Sequence, residues 1–272
     1  MSAIIVAYGS PDLLLRAIEH CIQSGAGETI VWDNSSDNQV ETAVQGSTFK
    51  VEYHRSKVNV GFGGGINEAV RYANGEFVLF VNPDCLINPE ALNLMRQRIE
   101  SAGTGIVAPR MQYPSGEFGI AGGPFPTAAK ELAAMTRLDD ILPKSLRRSI
   151  LSIRSRRGTG GTYADSLQPG GNIAVDWVSG FCMMMRRSIF RTVGGFDENY
   201  FLYFEDVDIC RRAREMGYSV EIVRDATVIH YESTTTNRSR KSSHYKDGLR
   251  VFVRKHGTAI DKFLVAVSIG AR

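Results

Sequence analysis

The sequence predicts an α/β protein with a mostly parallel central sheet and helices on both faces. Three observations predict it. Strand-like apolar runs alternate with helical spacing through the first 110 residues, the mark of parallel strands joined by helical crossovers. The run Phe77-Val78-Leu79-Phe80-Val81 is apolar throughout, as a strand buried on both faces must be. That run and the one at 28–32 close on carboxylates, Asp84 and Asp33, and open α/β sheets bind ligands beyond the carboxyl ends of their strands.

Each element follows from its local pattern. Residues 3–8 form the first strand, closing on Ala7 and Tyr8. Gly9-Ser10-Pro11-Asp12 is a turn that can cap the helix predicted over 13–23. A second strand covers 28–32, a short helix 38–44 and a third strand 50–54. The glycine-rich stretch 59–65 reads as a loop leading into a helix over 66–73. A fourth strand covers 76–81, a helix 89–100 and a short strand 105–109. Residues 113–175, rich in Gly, Pro, Ser and Arg, read as loops around one helix. A strand signal follows within 174–187, then a short helix over 187–193, a helix over 204–216, a strand or pair of strands over 219–228 and a helix over 249–256.

Composition narrows the function classes. At 272 residues and 43% apolar content the chain is one large domain or one domain with two lobes. No apolar run approaches twenty residues and no secretory signal opens the sequence, so the expected location is cytoplasmic. The four cysteines form no CxxC pair or zinc spacing, as expected of reduced thiols. The net charge of +3 is unremarkable, and no nucleic-acid partner is expected. Its distribution is uneven, with basic clusters from Lys144 to Arg157 and from Arg238 to Lys255. Within 141–154, Ile141, Leu142, Leu146, Ile150 and Ile153 share a face opposite arginines. That pattern suits peripheral contact with the anionic inner face of a membrane, or an ordinary surface helix.

Several residues carry chemistry. Asn82 and Asp84 share one side of an extended backbone, and their hard oxygens suit Mg²⁺ or Mn²⁺ bridging to the phosphates of a nucleotide. A turn capping the next helix is the alternative. Asp33, followed by Asn34 and Ser35, can accept from a ribose hydroxyl or a base N–H, or close an Asx turn. The glycine-rich stretch fails the dinucleotide fingerprint: it follows the third strand, and Ile66 stands where a glycine is needed. It can still let backbone approach a ligand, with Asn59 and Asn67 beside it. In the stretch from Gly194 to Asp208, two glycines and five aromatics surround carboxylates that include Glu205, Asp206 and Asp208. Aromatics just before a carboxylate desolvate it, raise its pKa and suit it to general-base work. His230 closes a strand and can complete a metal site with Asp84, or serve structure alone.

Taken together, Ile4-Val6-Tyr8, Val31-Asp33-Asn34-Ser35, Asn59-Gly61-Phe62-Gly63-Asn67, Asn82-Pro83-Asp84, Trp177-Gly180, Gly195-Phe196-Asp197-Phe201-Glu205-Asp206-Asp208 and His230 resemble family 2 glycosyltransferases. The nearest group is the rhamnosyltransferase-like one of bacterial cell-surface polysaccharide assembly. The resemblance spans roughly residues 2–256. It implies a GT-A fold: a nucleotide-sugar-binding half at 1–110, an acceptor-binding and catalytic half at 111–232, and a basic, partly helical tail at 233–272. It implies inverting transfer of a sugar from a nucleotide diphosphate, dTDP-rhamnose favoured and hexose or galactofuranose donors open, to a glycan or polyprenyl-linked acceptor. On this chain Ala7, Tyr8, Asp33, Asn34, Asn59, Gly61, Phe62, Gly63, Asn67, Asn82 and Asp84 would line the donor site. Asp84, with His230, would hold the Mg²⁺ or Mn²⁺. Asp206 would be the general base with Glu205 beside it, and Trp177 and Gly180 would shape the sugar and acceptor pocket. One position departs from the family pattern: Asn82 stands where a second carboxylate is usual, which leaves one anionic metal ligand. Two competing readings remain. A sugar-nucleotide-forming nucleotidyltransferase lacks support, because no basic loop follows the first strand. A non-catalytic nucleotide-sugar-binding protein would keep the fold alone.

Overall fold

The structure is a computed structural model that describes residues 1–135, 162–231 and 238–270. The basic segment expected to form an amphipathic helix at 141–154 lies outside the described residues.

The central sheet is built first from β1 (Ser2–Ala7), β2 (Glu28–Asp33), β3 (Glu52–Arg55) and β4 (Phe77–Val81). β1 pairs in parallel with β2 and β4, and β2 with β3. Helices α1 (Pro11–Gln23), α2 (Gln39–Gly46) and α3 (Gly61–Val70) connect them. The second half adds β5 (Cys85–Leu86), α4 (Pro89–Ile99), β6 (Thr104–Gln112), β7 (Phe118–Gly119), β8 (Gly122–Gly123) and α5 (Ala128–Met135). Next come β9 (Asn172–Ala174), β10 (Trp177–Val178), β11 (Cys182–Arg186) and α6 (Arg187–Thr192). The chain ends with α7 (Glu205–Glu215), β12 (Ser219–His230), α8 (Arg238–His256) and α9 (Ala259–Ile269). Among the described residues the main sheet runs β3-β2-β1-β4-β11-β6-β12-β5, with β7 on β6 and β9 on β12. β11 and β5 run antiparallel to their neighbours, and β6 and β12 are parallel. The sheet is therefore mostly parallel, with helices on both sides, as the sequence predicts.

Burial explains why these runs became strands. Every residue of β1 and of β4 is buried. Phe80 meets Phe190 and Phe196 edge-on, with ring centroids 5.4 and 5.6 Å away. Each such ring contributes about 1.5–3 kcal/mol by leaving water. A second apolar cluster joins Ala128 of α5, Tyr200, Phe204, Val207 of α7, Leu249, Phe252 and Val253 of α8, and Val265 of α9.

The fold departs from the sequence reading in four places. The glycine-rich stretch is not a loop before a helix at 66: helix α3 starts at Gly61. Its glycines serve close packing, since a Cβ at Gly65 would lie 2.9 Å from Val6 and 3.0 Å from Trp32. β6 continues to Gln112, and β12 is one strand reaching His230, with a register irregularity between Val223 and Thr227. α8 begins at Arg238 rather than 249, and α9 was not foreseen. Asp84 caps no helix; Asn88 caps α4 by accepting from the Ala91 N–H at 2.8 Å.

Candidate active site

The sheet topology gathers the site. β5 pairs antiparallel with the end of β12, setting His230 opposite Cys85. That pairing carries Asp84 against His230, with Oδ1 and Nε2 3.2 Å apart, and the Tyr231 N–H donates to the Asp84 carbonyl. β11 lies beside β4, Cys182 opposite Val81. The Asn82 N–H therefore donates to the Phe181 carbonyl at 2.8 Å, which brings Gly180 to the carboxyl end of β4. The Gly180 N–H in turn donates to Asp206 Oδ2 at 3.0 Å. Asp206 opens α7, and its Oδ1 accepts from the Val207 N–H at 2.8 Å.

Asp84, His230, Asn82, Gly180, Glu205 and Asp206 all line one cavity of about 650 Å³, together with Phe62 and Trp177. The rest of its wall is largely aromatic, from Tyr113, Phe118, Tyr163, Tyr203 and Tyr245. Trp177 is fixed by its Nε1–H, which donates to the Pro124 carbonyl at 3.0 Å, and it meets Tyr163 edge-on.

The two acids at the start of α7 differ. Glu205 is buried with Oε2 unpartnered. Burial first, and the adjacent Asp206 charge second, push its carboxyl well above the usual range. Burial also raises Asp206, but the Gly180 and Val207 N–H groups oppose that rise. Both carboxyls are raised, Glu205 the more strongly, so Asp206 is the more readily ionised of the pair.

Asp84 and His230 suit a divalent cation. A carboxylate oxygen and an imidazole nitrogen face each other across 3.2 Å, a donor set that Mn²⁺ accepts. His230 is stacked on Phe181 with its ring centroid 5.5 Å away, and its Nδ1 is buried without a partner. Cys85 Sγ lies within 4.8 Å of the same donor atoms. Its thiol is driven well above its usual range by burial and by the Asp84 charge, so it is the poorest ligand of the three.

The other residues expected at the donor site lie at the carboxyl ends of β1 and β2 and in or just before α3, and do not line that cavity. Ala7 is buried and Tyr8 is exposed. Asp33 is fully buried and accepts from the Ser35 N–H at 2.8 Å and the Tyr53 hydroxyl at 2.7 Å. Asn34 donates to the Gly61 carbonyl at 2.9 Å, tying β2 to the start of α3. Asn59 accepts from the Gly61 N–H, and a Cβ at Gly63 would lie 2.8 Å from Phe196. Asn67 holds the Phe196 backbone from both sides, donating to its carbonyl and accepting from its N–H at 2.9 Å each. Asp208 belongs to the scaffold. Burial alone would raise its carboxyl, but His256, Lys255 and Arg212 hold it down at about 2.

Sequence reasoning missed the aromatic residues Tyr113, Phe118, Tyr163 and Tyr245 of the cavity wall and, with them, one buried acid. Glu131 of α5 accepts from the Tyr245 hydroxyl of α8 at 2.5 Å, and burial raises the Glu131 carboxyl. The two residues are 114 positions apart, and no local motif joins them.

Comparison with known proteins gives a consistent picture. The model of "Glycosyl transferase family 2" matches residues 2–194. The low-salt glycan biosynthesis hexosyltransferase Agl10 of Haloferax volcanii is 28% identical over 246 residues, covering 89% of this chain and 70% of the relative. The N-acetylglucosaminyl-diphospho-decaprenol L-rhamnosyltransferase of Mycobacterium tuberculosis is 26% identical over 241 residues, covering 82% and 73%. Among solved structures, GalNAc-T7 with UDP, GalNAc and Mn²⁺ superposes with a TM-score of 0.63 at 14% identity, over 92% of this chain. This chain spans about half, 47%, of that protein's length. That likeness shows the GT-A-type fold.

Proposed function

The chain belongs to glycosyl transferase family 2, and from that premise we propose that it transfers a sugar from a nucleotide diphosphate to a glycan or polyprenyl-linked acceptor, inverting the anomeric configuration. One observation carries this reading: a carboxylate, Asp206, and a carboxylate–imidazole pair, Asp84 and His230, line the same cavity. An acceptor hydroxyl needs the first, and a diphosphate leaving group needs the second.

Each residue has a role in the proposal. Asp206 takes the proton of the acceptor hydroxyl as that oxygen attacks the anomeric carbon from the face opposite the diphosphate. The Gly180 and Val207 N–H groups hold its two oxygens in place. Glu205, whose protonated form burial and the Asp206 charge favour, sits beside the base without competing for its charge. Trp177 gives the sugar an apolar wall. Asp84 and His230 would hold Mg²⁺ or Mn²⁺, with Asn82 beside them; the cation, when bound, acts as a Lewis acid on the departing diphosphate. Residues 1–110 serve as the nucleotide-sugar half, with Asp33 contacting the nucleoside through lone pairs that Ser35 and Tyr53 leave free. Residues 111–232 serve as the acceptor half and 233–272 as the tail.

dTDP-rhamnose is the favoured donor, because a relative with 26% identity is an L-rhamnosyltransferase acting on a decaprenyl-linked sugar. A hexose donor is the second reading, favoured by the hexosyltransferase relative at 28% identity. Among the described residues no helix is long and apolar enough to cross a membrane.

A thermal-shift screen of nucleotide sugars with and without Mn²⁺, followed by a transfer assay, tests the reading. Asp206→Asn should keep the donor-induced shift and lose about 10²- to 10⁴-fold in transfer. Transfer at the wild-type rate would remove Asp206 from the base role.

A further inference from the structure

We propose that helix α9 docks the molecule on an anionic lipid surface. Ile260, Phe263 and Val267 stand 72%, 67% and 70% exposed on that helix. Their i, i+3, i+7 spacing places all three on one face, while Val265, on another face, enters the second apolar cluster. A helix showing three large apolar side chains to solvent along one stripe is built to be covered.

The surrounding charge selects the cover. Between 238 and 269 the sequence holds eight lysines and arginines and two acids. Both acids are engaged within the protein, Asp247 with Arg250 at 2.6 Å and Asp261 in the capping box with Thr258, and of the cations Lys255 is held by Asp197 and Asp208 at 2.8 Å each. Arg254 and Lys262 are exposed. An apolar stripe on a segment with an excess of positive charge is the pattern of a helix lying in the interface of an anionic bilayer. A second copy docked through the same face would set that positive excess against its like.

The position suits the use. α9 packs on α5 and α8, and Arg250 of α8 donates to the Gly270 carbonyl at 3.0 Å, fastening the end of α9. Glu131 of α5 and Tyr245 of α8 both line the cavity. The docking face therefore lies one helix away from the cavity. The purpose of docking, meeting a lipid-linked acceptor, rests on the transferase reading; the docking itself does not.

Co-sedimentation with phosphatidylcholine vesicles, with and without phosphatidylglycerol, separates the two questions. The wild-type chain should partition onto phosphatidylglycerol-containing vesicles and release at high salt. The triple variant Ile260→Ser, Phe263→Ser, Val267→Ser should lose at least about tenfold in partitioning, the equivalent of one such side chain leaving the apolar phase. Its melting temperature and its turnover of a soluble acceptor analogue should stay unchanged. Equal partitioning of the variant, no preference for phosphatidylglycerol, or a wild-type dimer abolished by the triple variant would each overturn the proposal. Vesicle binding by a chain without transferase activity would keep the docking face and reject the transferase reading.

Discussion

Neighbouring carboxylates at one helix start are raised unequally, and pH should expose the difference. Burial and the Asp206 charge favour the protonated form of Glu205 in the folded chain, whereas an unfolded glutamate loses its proton around its ordinary pKa of about 4.3. The folded state then binds more protons than the unfolded one, so this group's contribution to stability falls as pH rises above that ordinary value. Glu205→Gln removes the effect. Its melting temperature should exceed that of the wild type by a margin that widens from about pH 5 to about pH 8; a constant margin would mean that Glu205 ionises normally. At the metal pair, Asp84→Ala leaves a lone imidazole. The expected outcome is a Mn²⁺ requirement raised by about tenfold or more, as second-shell losses alone reach that size. Activity in excess chelator equal to that with Mn²⁺ would contradict the role of the pair.

The element that sets these residues is the turn before α7. Tyr203 and Phe204 both hold left-handed backbone, φ 72° and 70°, a strain of about 1–3 kcal/mol each that only surrounding structure can sustain. Phe204 is locked between Tyr245 and Phe252 of α8, 5.0 and 5.6 Å away. From α3, the Phe62 N–H donates to the Phe201 carbonyl at 3.1 Å, and a Cβ at Gly61 would collide with that same carbonyl. From α8, Gly248 approaches so closely that a Cβ would lie 2.5 Å from the Tyr203 carbonyl oxygen. In an ordinary helix Gly→Ala stabilises by about 1 kcal/mol. Here Gly248→Ala should instead lower kcat by about 10- to 100-fold through displacement of Asp206, with donor KM near wild type. A raised melting temperature with normal kcat would show that the turn does not depend on this approach. The apolar runs of β1 and β4 made the sheet legible in the sequence, because burial on both faces leaves no other composition. The start of α3 was not legible: glycines placed for close packing against Val6, Trp32 and Phe196 look locally like a loop. The same holds for α8, whose polar first half gives no apolar period, and for the Gly180 N–H, whose partner Asp206 is 26 positions away.

At the scale of the whole molecule, one sheet runs through most of the described chain, and the site forms at the ends of its strands and the start of α7. β4 contributes Asn82 and Asp84 at its end, β11 follows Gly180, β12 ends in His230, and α7 starts with Glu205 and Asp206. The family match ends at residue 194, so the proposed base and α8, which holds its turn from one side, lie beyond it, while α3, which holds it from the other, lies within. Asp208 fastens that later part: it binds Arg212 within α7 at 2.7 Å and His256 of α8 at 2.6 Å. Asn82 and Asp84 were legible as a pair from strand periodicity, and His230 as a ligand to join them from its residue type; that the three meet depends on the β5–β12 pairing, which no local pattern shows. The most direct measurement is the anomeric configuration of the product, by NMR, from whichever nucleotide sugar supports transfer, with the rate of Asp206→Asn alongside. A single displacement with Asp206 as base gives inverted configuration and a rate lower by about 10²- to 10⁴-fold in the variant. Retained configuration, or inversion at an undiminished rate in the variant, would contradict it.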